Sequence, residues 1–222
     1  MKAIDRIVVI GAVGTALNIL YQIKDAILNY NYPAELEGVI IDDLKPGSSV
    51  GEFPVIGSTK DIKRLIKDTS FRFIFCLYRM DKMKERFDLL QSYKIKPERF
   101  INFVHPLAYT SPDLHLGTGN VILSNSAIQA GVQIGNNNII NSNVTIEHNT
   151  SIGNGNFFSA SVCIGAIVNI GNHCFIGLNA SVRENVRLDE NVFVGMHSLV
   201  LNNFSNVAIA GIPAKPLKKK DL

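Results

Sequence analysis

The stretch that decides the fold is residues 134–177, IGNNNIINSNVTIEHNTSIGNGNFFSASVCIGAIVNIGNHCFIG. A large apolar residue returns at every sixth position, and the register continues in both directions without an insertion. Stepping by six meets Leu116, Ile122, Ile128, Ile134, Ile140, Ile146, Ile152, Phe158, Ile164, Ile170, Ile176, Val182, Leu188 and Val194. A fixed short period of this kind is the signature of a solenoid, in which each repeat stacks on the next.

Each six-residue unit supplies one short strand and one corner. Glycine often follows the periodic residue, as at Gly135 and Gly153, and asparagines come next, as at Asn136 and Asn154. Both residue types tolerate the left-handed backbone conformations that tight corners need. Three units close a triangular coil of about 18 residues, with the periodic side chain pointing inward. We therefore predict a left-handed parallel β-helix of hexapeptide repeats, from about Leu116 to about Val200.

Basic residues are distributed unevenly along the 222-residue chain. Sixteen of the 22 Lys and Arg residues precede His105, and only Arg183 and Arg187 lie between Leu116 and Leu199. This shift predicts two domains, residues 1–105 and residues 106–222. The net charge of +3 argues against nucleic acid as the main partner. No apolar run reaches the ~18 residues of a transmembrane helix.

The cysteines do not form a disulfide framework. There are three, Cys76, Cys163 and Cys174, and an odd number without framework spacing is typical of a reducing compartment. We therefore expect a cytoplasmic protein, in which Cys163 and Cys174 are packing residues of the repeat.

The first domain alternates runs of strand character with segments of helical periodicity. The predicted strands are residues 6–10, 39–41, 71–77 and 100–104. The predicted helices are residues 15–30, residues 59–68 with Thr59 as the cap, and residues 80–93. Such alternation predicts a parallel sheet, and hence a small Rossmann-like α/β domain.

Two features at the ends of these strands suggest a ligand site. A glycine turn opens the first predicted helix and contains Gly11, Val13, Gly14 and Thr15; Asp42 and Asp43 follow the second strand. Free N–H groups at a helix start can bind phosphate, and an acidic residue at the next strand end can hold ribose hydroxyls. Taken alone, the glycine turn is explained equally well as a plain strand-to-helix turn, and the acidic pair is explained better as a solvated strand end. Together they favour a nucleotide-type ligand.

The whole pattern resembles a known family. A small α/β domain with a glycine turn, hexapeptide repeats, the step Ile146-Glu147-His148 and the ending Gly211-Ile212-Pro213-Ala214-Lys215 are similar to the sugar O-/N-acyltransferases of the sialic-acid O-acetyltransferase and PglD type. The resemblance covers nearly the whole chain. It implies an acetyl-CoA-dependent acetyltransferase acting on a nucleotide-linked amino sugar in surface-glycan biosynthesis. It also implies a homotrimer with acetyl-CoA between neighbouring β-helices, no metal, and a nucleotide bound by the N-terminal domain.

The resemblance also implies roles for particular residues. His148 matches the histidine of the family's E-H-[ED] step and is the expected general base, with Glu147 and Asn149 beside it. The expected acetyl-CoA-binding residues are Gly165, Ala166, Gly177, Gly195, Pro213 and Lys215. The expected substrate-binding residues are Gly11, Val13, Gly14, Thr15, Asp42 and Asp43.

The sequence departs from the family pattern around the active centre. Asn149 stands where a carboxylate is usual, Phe157 where a second histidine is often found, and Ala166 where a glycine often meets the thioester. The glycine turn reads GAVGTA instead of G-x-G-G-H-G. We expect these changes to leave the fold intact. They concern the reaction rate, the identity of the acceptor and the presence of the activity itself.

Residue chemistry supports the same role for His148. It lies two positions past an inward Ile146, so it should point outward at a corner, with Ala166 one coil further on. A histidine side chain ordinarily titrates near pH ~6.5 and can accept a proton from an attacking amine or hydroxyl. A backbone N–H near Gly165 or Ala166 would hold the oxyanion. Lys215 and the run 218–220 would either meet CoA phosphates or form a solvated tail.

Three alternatives remain open. A zinc enzyme like the γ-class carbonic anhydrases would need close histidines, whereas His148, His173 and His197 should fall on three different faces. A non-catalytic β-helix binding module would explain the changed active-centre positions. A sugar O-acetyltransferase would use the same scaffold, because the sequence does not separate a hydroxyl from an amine acceptor.

Overall fold

The computed structural model of the chain describes residues 4–11 and 13–218, and their fold has two parts. The first is a five-stranded sheet with helices. Its elements are β1 (Asp5–Ile10), α1 (Thr15–Tyr30), β2 (Ala34–Ile40), β3 (Ser49–Val50), β4 (Phe53–Gly57), a 3₁₀ turn (Thr59–Asp61), α2 (Ile62–Leu65), β5 (Phe71–Phe75), α3 (Met83–Ser92) and a second 3₁₀ turn (Pro97–Arg99). The strand order is β3-β4-β2-β1-β5, parallel except for the β3–β4 pair.

The second part is a parallel β-helix with three faces. Face 1 contains Tyr109–Thr110, Ala127–Ile128, Thr145–Ile146, Cys163–Ile164, Ser181–Val182 and Leu199–Val200. Face 2 contains His115–Leu116, Gln133–Ile134, Ser151–Ile152, Asn169–Ile170 and Arg187–Leu188. Face 3 contains Phe103–Val104, Val121–Ile122, Ile139–Ile140, Phe157–Phe158, Phe175–Ile176, Phe193–Val194, Ala208–Gly211 and Ala214–Pro216. The last two strands of face 3 form an antiparallel hairpin.

The predicted repeat register is confirmed. Successive strands of a face pair eighteen residues apart, as Ile146 does with Ile164. Of the periodic apolar residues, all except Leu116 in the first coil are buried. They form one continuous core along the axis, which is how a solenoid stabilises units that cannot fold alone.

Asparagine side chains pair with the polar groups at the corners of the coils. Asn138 donates to the Asn120 side chain at 2.9 Å, and Asn156 donates to Asn138 at 3.0 Å, all three being buried. Each side chain oxygen also accepts a backbone N–H from the next coil, for example that of Cys174 at 2.7 Å from Asn156. The ladder pairs polar groups that burial would otherwise leave unsatisfied.

Several sequence-based boundaries need correction, and the short strands β3 and β4 were not predicted. Strand β2 begins at Ala34 and not at residue 39. The β-helix begins at Phe103–Val104, before Leu116, so the end of the predicted strand 100–104 belongs to face 3. The start of that strand does meet the first sheet, through one parallel bridge between Phe100 and Phe73 of β5. The predicted helix 59–68 is a 3₁₀ turn followed by one α-helical turn, and its cap is Ser58 with Asp61 in a capping box, not Thr59. Strand β5 ends at Phe75, and α3 begins at Met83.

The two parts pack through α1 and the outer surface of face 3. Outward residues of the first coils, including Phe103 and Val121, share one core with Ile19 and Ile23 of α1. The Gln22 side chain donates to Ser142 at 2.9 Å and accepts the Ser124 N–H at 2.9 Å. This interface fixes the N-terminal sheet against face 3. Within the described ranges, no helix combines the length and apolarity needed to cross a membrane.

Candidate functional site

His148 lies at an exposed corner between faces 1 and 2. The buried Ile146 ends a strand of face 1, and His148 and Asn149 form the turn that follows. Asn149 has a φ of 57°, a left-handed conformation that asparagine tolerates. Backbone bonds hold the turn from both sides, because the Asn149 N–H donates to the Ala130 carbonyl at 2.9 Å and the His148 carbonyl accepts the Ile167 N–H at 3.0 Å. The imidazole is therefore outward and accessible at a corner held by backbone hydrogen bonds, and its predicted outward position is confirmed.

The Asn149 side chain contacts the imidazole of His148. Its side chain nitrogen lies 3.1 Å from His148 Nδ1. With the amide nitrogen donating there, Nδ1 is an acceptor and the proton sits on Nε2, which then cannot act as a base. With the amide rotated so that its oxygen faces Nδ1, the N–H moves to Nδ1 and Nε2 becomes free to accept a proton. An amide supports both arrangements, whereas a carboxylate would support only the second.

Glu147 does not take part in this contact. Its N–H donates to the Ile164 carbonyl at 3.0 Å within the β-helix. Its half-buried side chain has no hydrogen bond or ion pair to the residues that the structure describes. Glu147 therefore contributes only a nearby negative charge to the corner.

One expected oxyanion donor is committed elsewhere. The Gly165 N–H donates to the Val182 carbonyl at 2.8 Å as part of the β-ladder, so it is not free to hold an oxyanion. The N–H of Ala166, one coil beyond His148, has no acceptor within the described ranges. The Ala166 N–H is therefore available to a ligand that binds at this corner.

The predicted glycines of the donor site have a packing role. A Cβ on Gly165 or on Gly177 would lie 2.6 Å or 2.7 Å from a backbone nitrogen of the next coil. A Cβ on Gly195 would lie 2.8 Å from the Ala210 Cβ. Close stacking alone therefore explains glycine at these positions. Pro213 and Lys215 are exposed on the terminal hairpin. Lys219 and Lys220 of the predicted basic tail lie outside the described residues.

The glycine turn opens onto a cleft against face 3. Gly11 and Gly14 have φ values of 112° and 59°, and Gly14 is the N-cap of α1. The cleft has a volume of about 460 Å³. Its walls combine the turn, the loop after β5 and face 3, and include Val13, Gly14, Thr15, Tyr78, Phe157 and Ala160. The structure thus brings the glycine turn together with Phe157.

The acidic pair is not part of that lining. Asp42 accepts the Thr59 N–H at 2.7 Å and the Thr59 hydroxyl at 2.9 Å, which anchors the start of the 3₁₀ turn. Asp43 is exposed, and its side chain has no partner among the described residues. Asp42 therefore has a structural task that the sequence did not indicate, while Asp43 stays free for a ligand.

Face 3 also carries an aromatic ladder that the sequence analysis missed. Phe157, Phe175 and Phe193 stack eighteen residues apart, with ring centroids 5.3 Å apart at both steps. Phe175 and Phe193 line a second cleft of about 550 Å³ beside the start of α3. The sequence does contain a signal for this ladder, namely aromatic residues at outward positions spaced eighteen residues apart. A face in contact with solvent would carry polar side chains at those positions.

The three histidines of the repeat occupy three different corners. His173 lies between faces 2 and 3, where its ring packs on Phe87 at 4.8 Å and both ring nitrogens are buried without partners. Burial lowers the pKa of His173. His197 lies between faces 3 and 1 and contacts the Asn179 amide at 3.2 Å. Among the described residues of one chain, no three or more histidine, cysteine, aspartate or glutamate side chains are grouped so that they could hold a metal ion.

The two repeat cysteines differ. Cys174 is buried, its thiol lies 3.0 Å from the Asp189 carbonyl, and burial raises its pKa to about 12. Cys163 is exposed on face 1, so its predicted packing role is wrong. The outward position of a strand, one residue before the inward Ile164, accounts for this.

In a single chain, His148 and the cleft are not neighbours. The cleft lies on face 3, whereas His148 lies on the edge between faces 1 and 2, which is the opposite edge of a triangular prism. The structure therefore places the two halves of the predicted site on opposite sides of the β-helix.

This architecture is similar to that of several solved structures, although the sequence comparisons found no match. No protein-family model matches the sequence. No curated protein matches it either. Among solved structures, the acetyltransferase domain of PglB from Neisseria gonorrhoeae FA1090, in complex with acetyl coenzyme A, is similar with a TM-score of 0.80 and 23% identity, covering 96% of this chain and 100% of that chain.

Two further structures agree over the same length. PerB from Caulobacter crescentus, in complex with CoA and GDP-perosamine, is similar with a TM-score of 0.82 and 22% identity, covering 97% of this chain and 99% of that chain. WeeI from Acinetobacter baumannii AYE has a TM-score of 0.55 and 14% identity, over 96% of this chain and 99% of that chain. Over nearly its full length, this chain therefore has the fold of hexapeptide-repeat sugar acyltransferases such as the PglB acetyltransferase domain and PerB.

Proposed function

We propose that this protein is an acetyl-CoA-dependent N-acetyltransferase that acts on a nucleotide-linked amino sugar, with His148 as the general base. The observation that carries the proposal is the corner at which an exposed imidazole, its orienting Asn149 and the free N–H of Ala166 come together. The shared fold supports it, since PglB and PerB were solved with acetyl coenzyme A or with CoA and GDP-perosamine.

The reaction is a direct acyl transfer. The neutral sugar amine attacks the thioester carbonyl while Nε2 of His148 accepts the amine proton. The carbonyl oxygen becomes an oxyanion, and the Ala166 N–H donates to it. When the tetrahedral intermediate collapses, the carbon–sulfur bond breaks, and the departing thiolate takes the proton from the imidazolium. The products are the N-acetylated sugar and CoA with a free thiol, without a covalent enzyme intermediate.

The proposed active site needs two copies of the chain. His148 and the cleft of one chain lie on opposite sides of the prism, so the edge of one β-helix must meet the cleft of another. Closed rotational symmetry joins such unlike surfaces most simply in a ring. We therefore propose a homotrimer of left-handed β-helices, with acetyl-CoA between neighbours.

The N-terminal domain, residues 1–105, is proposed to be Rossmann-like and to bind the nucleotide. Gly14 and Thr15 place the start of α1 at the cleft, where backbone N–H groups can meet a phosphate. Asp43 is exposed at the same sheet edge and is free to accept ribose hydroxyls. The β-helix domain, residues 106–222, would hold the donor, with the exposed Lys215 near its phosphates. Acetyl-CoA, nucleotide sugars and free cysteines all fit a cytoplasmic location.

The test is thiol release from acetyl-CoA against a panel of nucleotide-linked 3-amino and 4-amino sugars. We expect release with one of them, and a loss of about 10²–10⁴-fold in kcat in His148→Ala. His197→Ala is the matched control, because His197 is an exposed corner histidine with an amide partner on another edge. We expect this control to keep full activity.

Other outcomes separate the alternatives. Full activity in His148→Ala would remove His148 as the base. Thiol release with sugars that offer only hydroxyl acceptors, and not with amino sugars, would indicate a sugar O-acetyltransferase. Binding of acetyl-CoA without release on any acceptor would indicate a non-catalytic module.

A further inference from the structure

Ile167 occupies a backbone conformation that isoleucine disfavours. Its φ is 59°, in the left-handed region, where a β-branched side chain is a true outlier. Other coils place Gly131, Asn149 and Asn185 at the same position of this corner, and glycine and asparagine adopt that conformation readily. The isoleucine is therefore not what the turn itself requires.

Packing within the chain does not compensate for this strain. Ile167 is 53% exposed in the single chain, so the protein covers only part of it. The strained backbone lowers the stability, and a side chain that stays exposed buries little apolar surface to offset that cost. Such residues persist where the strain serves a site.

The position of Ile167 indicates which site. Its N–H donates to the carbonyl of His148 at 3.0 Å, and it directly follows Ala166. Its side chain lies one coil beyond that of Asn149, at a strand spacing of about 4.8 Å. Ile167 is thus the apolar member of a corner whose other members are the imidazole, the orienting amide and the free Ala166 N–H.

We propose that Ile167 forms the apolar wall against which the acetyl and pantetheine end of the donor packs. This inference rests on the proposed function, because the donor's reacting carbonyl must reach both His148 and Ala166. The thioester carbonyl engages the polar groups of the corner, and the adjoining methyl and methylene groups need an apolar contact. Ile167 is the exposed apolar side chain beside those groups.

The test is Ile167→Asn, which introduces the residue that the same corner carries at Asn149 and Asn185. Relief of the strained turn should raise the Tm by about 2–4 °C. Loss of the apolar contact should raise the Kd and the KM for acetyl-CoA about tenfold. The kcat should stay unchanged, since the contact is made equally in the ground state and the transition state. Asn185→Ile is the matched control for backbone cost and should lower the Tm by a similar amount.

A higher Tm together with a higher Kd for acetyl-CoA in Ile167→Asn would support the inference. An unchanged Kd for acetyl-CoA in Ile167→Asn, or a lower Tm, would overturn it. Light scattering on the parent protein and on Ile167→Asn tests whether Ile167 is instead a contact between subunits. A changed oligomeric state together with a loss of affinity would indicate such a contact and would overturn the inference. Failure of the parent protein to bind acetyl-CoA is a separate result, and it would overturn the proposed function itself.

Discussion

Replacing Asn149 with aspartate should make this protein a faster enzyme. The Asn149 amide nitrogen lies 3.1 Å from His148 Nδ1, and an amide supports both neutral forms of the imidazole. A carboxylate has only acceptor oxygens, so it holds the N–H on Nδ1 and leaves Nε2 free as the base. Aspartate also tolerates the φ of 57° at this position, so the turn should keep its shape.

The size of the gain follows from two effects. Removing the unproductive form, in which Nε2 carries the proton, contributes about twofold if the amide populates both orientations. A charged acceptor strengthens the bond to the imidazolium by about 1 kcal/mol over a neutral acceptor, once solvent exposure of the corner is allowed for. That energy corresponds to about fivefold in rate. Together we expect about a tenfold increase in kcat.

The assay is thiol release at saturating acetyl-CoA and saturating acceptor, followed across pH. The added carboxylate favours the imidazolium, so the acid limb of the kcat profile should move to higher pH. Asn185→Asp is the matched control, since Asn185 is an exposed left-handed residue of the same corner without a histidine before it. It reports how an added negative charge alone affects the KM for the anionic donor, and its kcat should stay at the parent value.

Two results would refute this reasoning. One is a kcat for Asn149→Asp at or below that of the parent, with the Tm unchanged. The other is an equal gain in Asn185→Asp, which would assign the effect to charge and not to the tautomer of His148. The double variant His148→Ala with Asn149→Asp should show no gain over His148→Ala alone.

Two further predictions test the backbone donor and the buried histidine. Ala166→Pro removes the free N–H without disturbing the turn, because Pro112 already occupies the same corner position three coils earlier. The kcat of this variant should fall about 10²-fold with an unchanged Tm, whereas the control Ala130→Pro, in the coil before His148, should keep the parent kcat. Full activity in a folded Ala166→Pro variant would exclude the oxyanion role. His173 has a pKa lowered by burial, with Lys84 lowering it further and Glu190 and Asp88 acting in the opposite direction. The unfolded chain therefore binds more protons than the folded one, and stability falls as the pH drops from about 6.5 through the lowered pKa of His173. Between pH 7.5 and 5.5, the Tm of His173→Asn should therefore fall by about 2 °C less than the Tm of the parent protein. An equal fall in both proteins would contradict this assignment.

The sequence determined the β-helix because its period is a local and repeated property. Each inward residue, such as Ile146 or Ile164, faces the same environment in every coil, so one register fixes the face of every strand. The same register placed His148 one coil before Ala166. The register also predicted the outward position of the imidazole, and the family resemblance implied that a carboxylate is usual where Asn149 stands.

The beginning of the β-helix and the tasks of single polar groups did not follow from the sequence. Phe103–Val104 lacks the corner residues that mark later repeats, and it joins face 3 because α1 covers its outer surface. The Gly165 N–H and the Asp42 carboxylate look free in the sequence, yet pairing with Val182 and Thr59 occupies them. Hydrogen-bond partners distant along the chain are known only when the chain is folded.

What the sequence determined by itself was therefore the repeat, its core and the corner that carries His148, because each depends on spacing within a few coils. Tertiary structure alone decided that the glycine turn opens onto a cleft on face 3, with Phe157 in its wall, on the side of the prism opposite His148. The reason is physical. Docking of the N-terminal sheet depends on contacts between distant residues, such as Gln22 with Ser142 and Tyr78 with the Asn137 carbonyl, and no periodic pattern encodes which face they select.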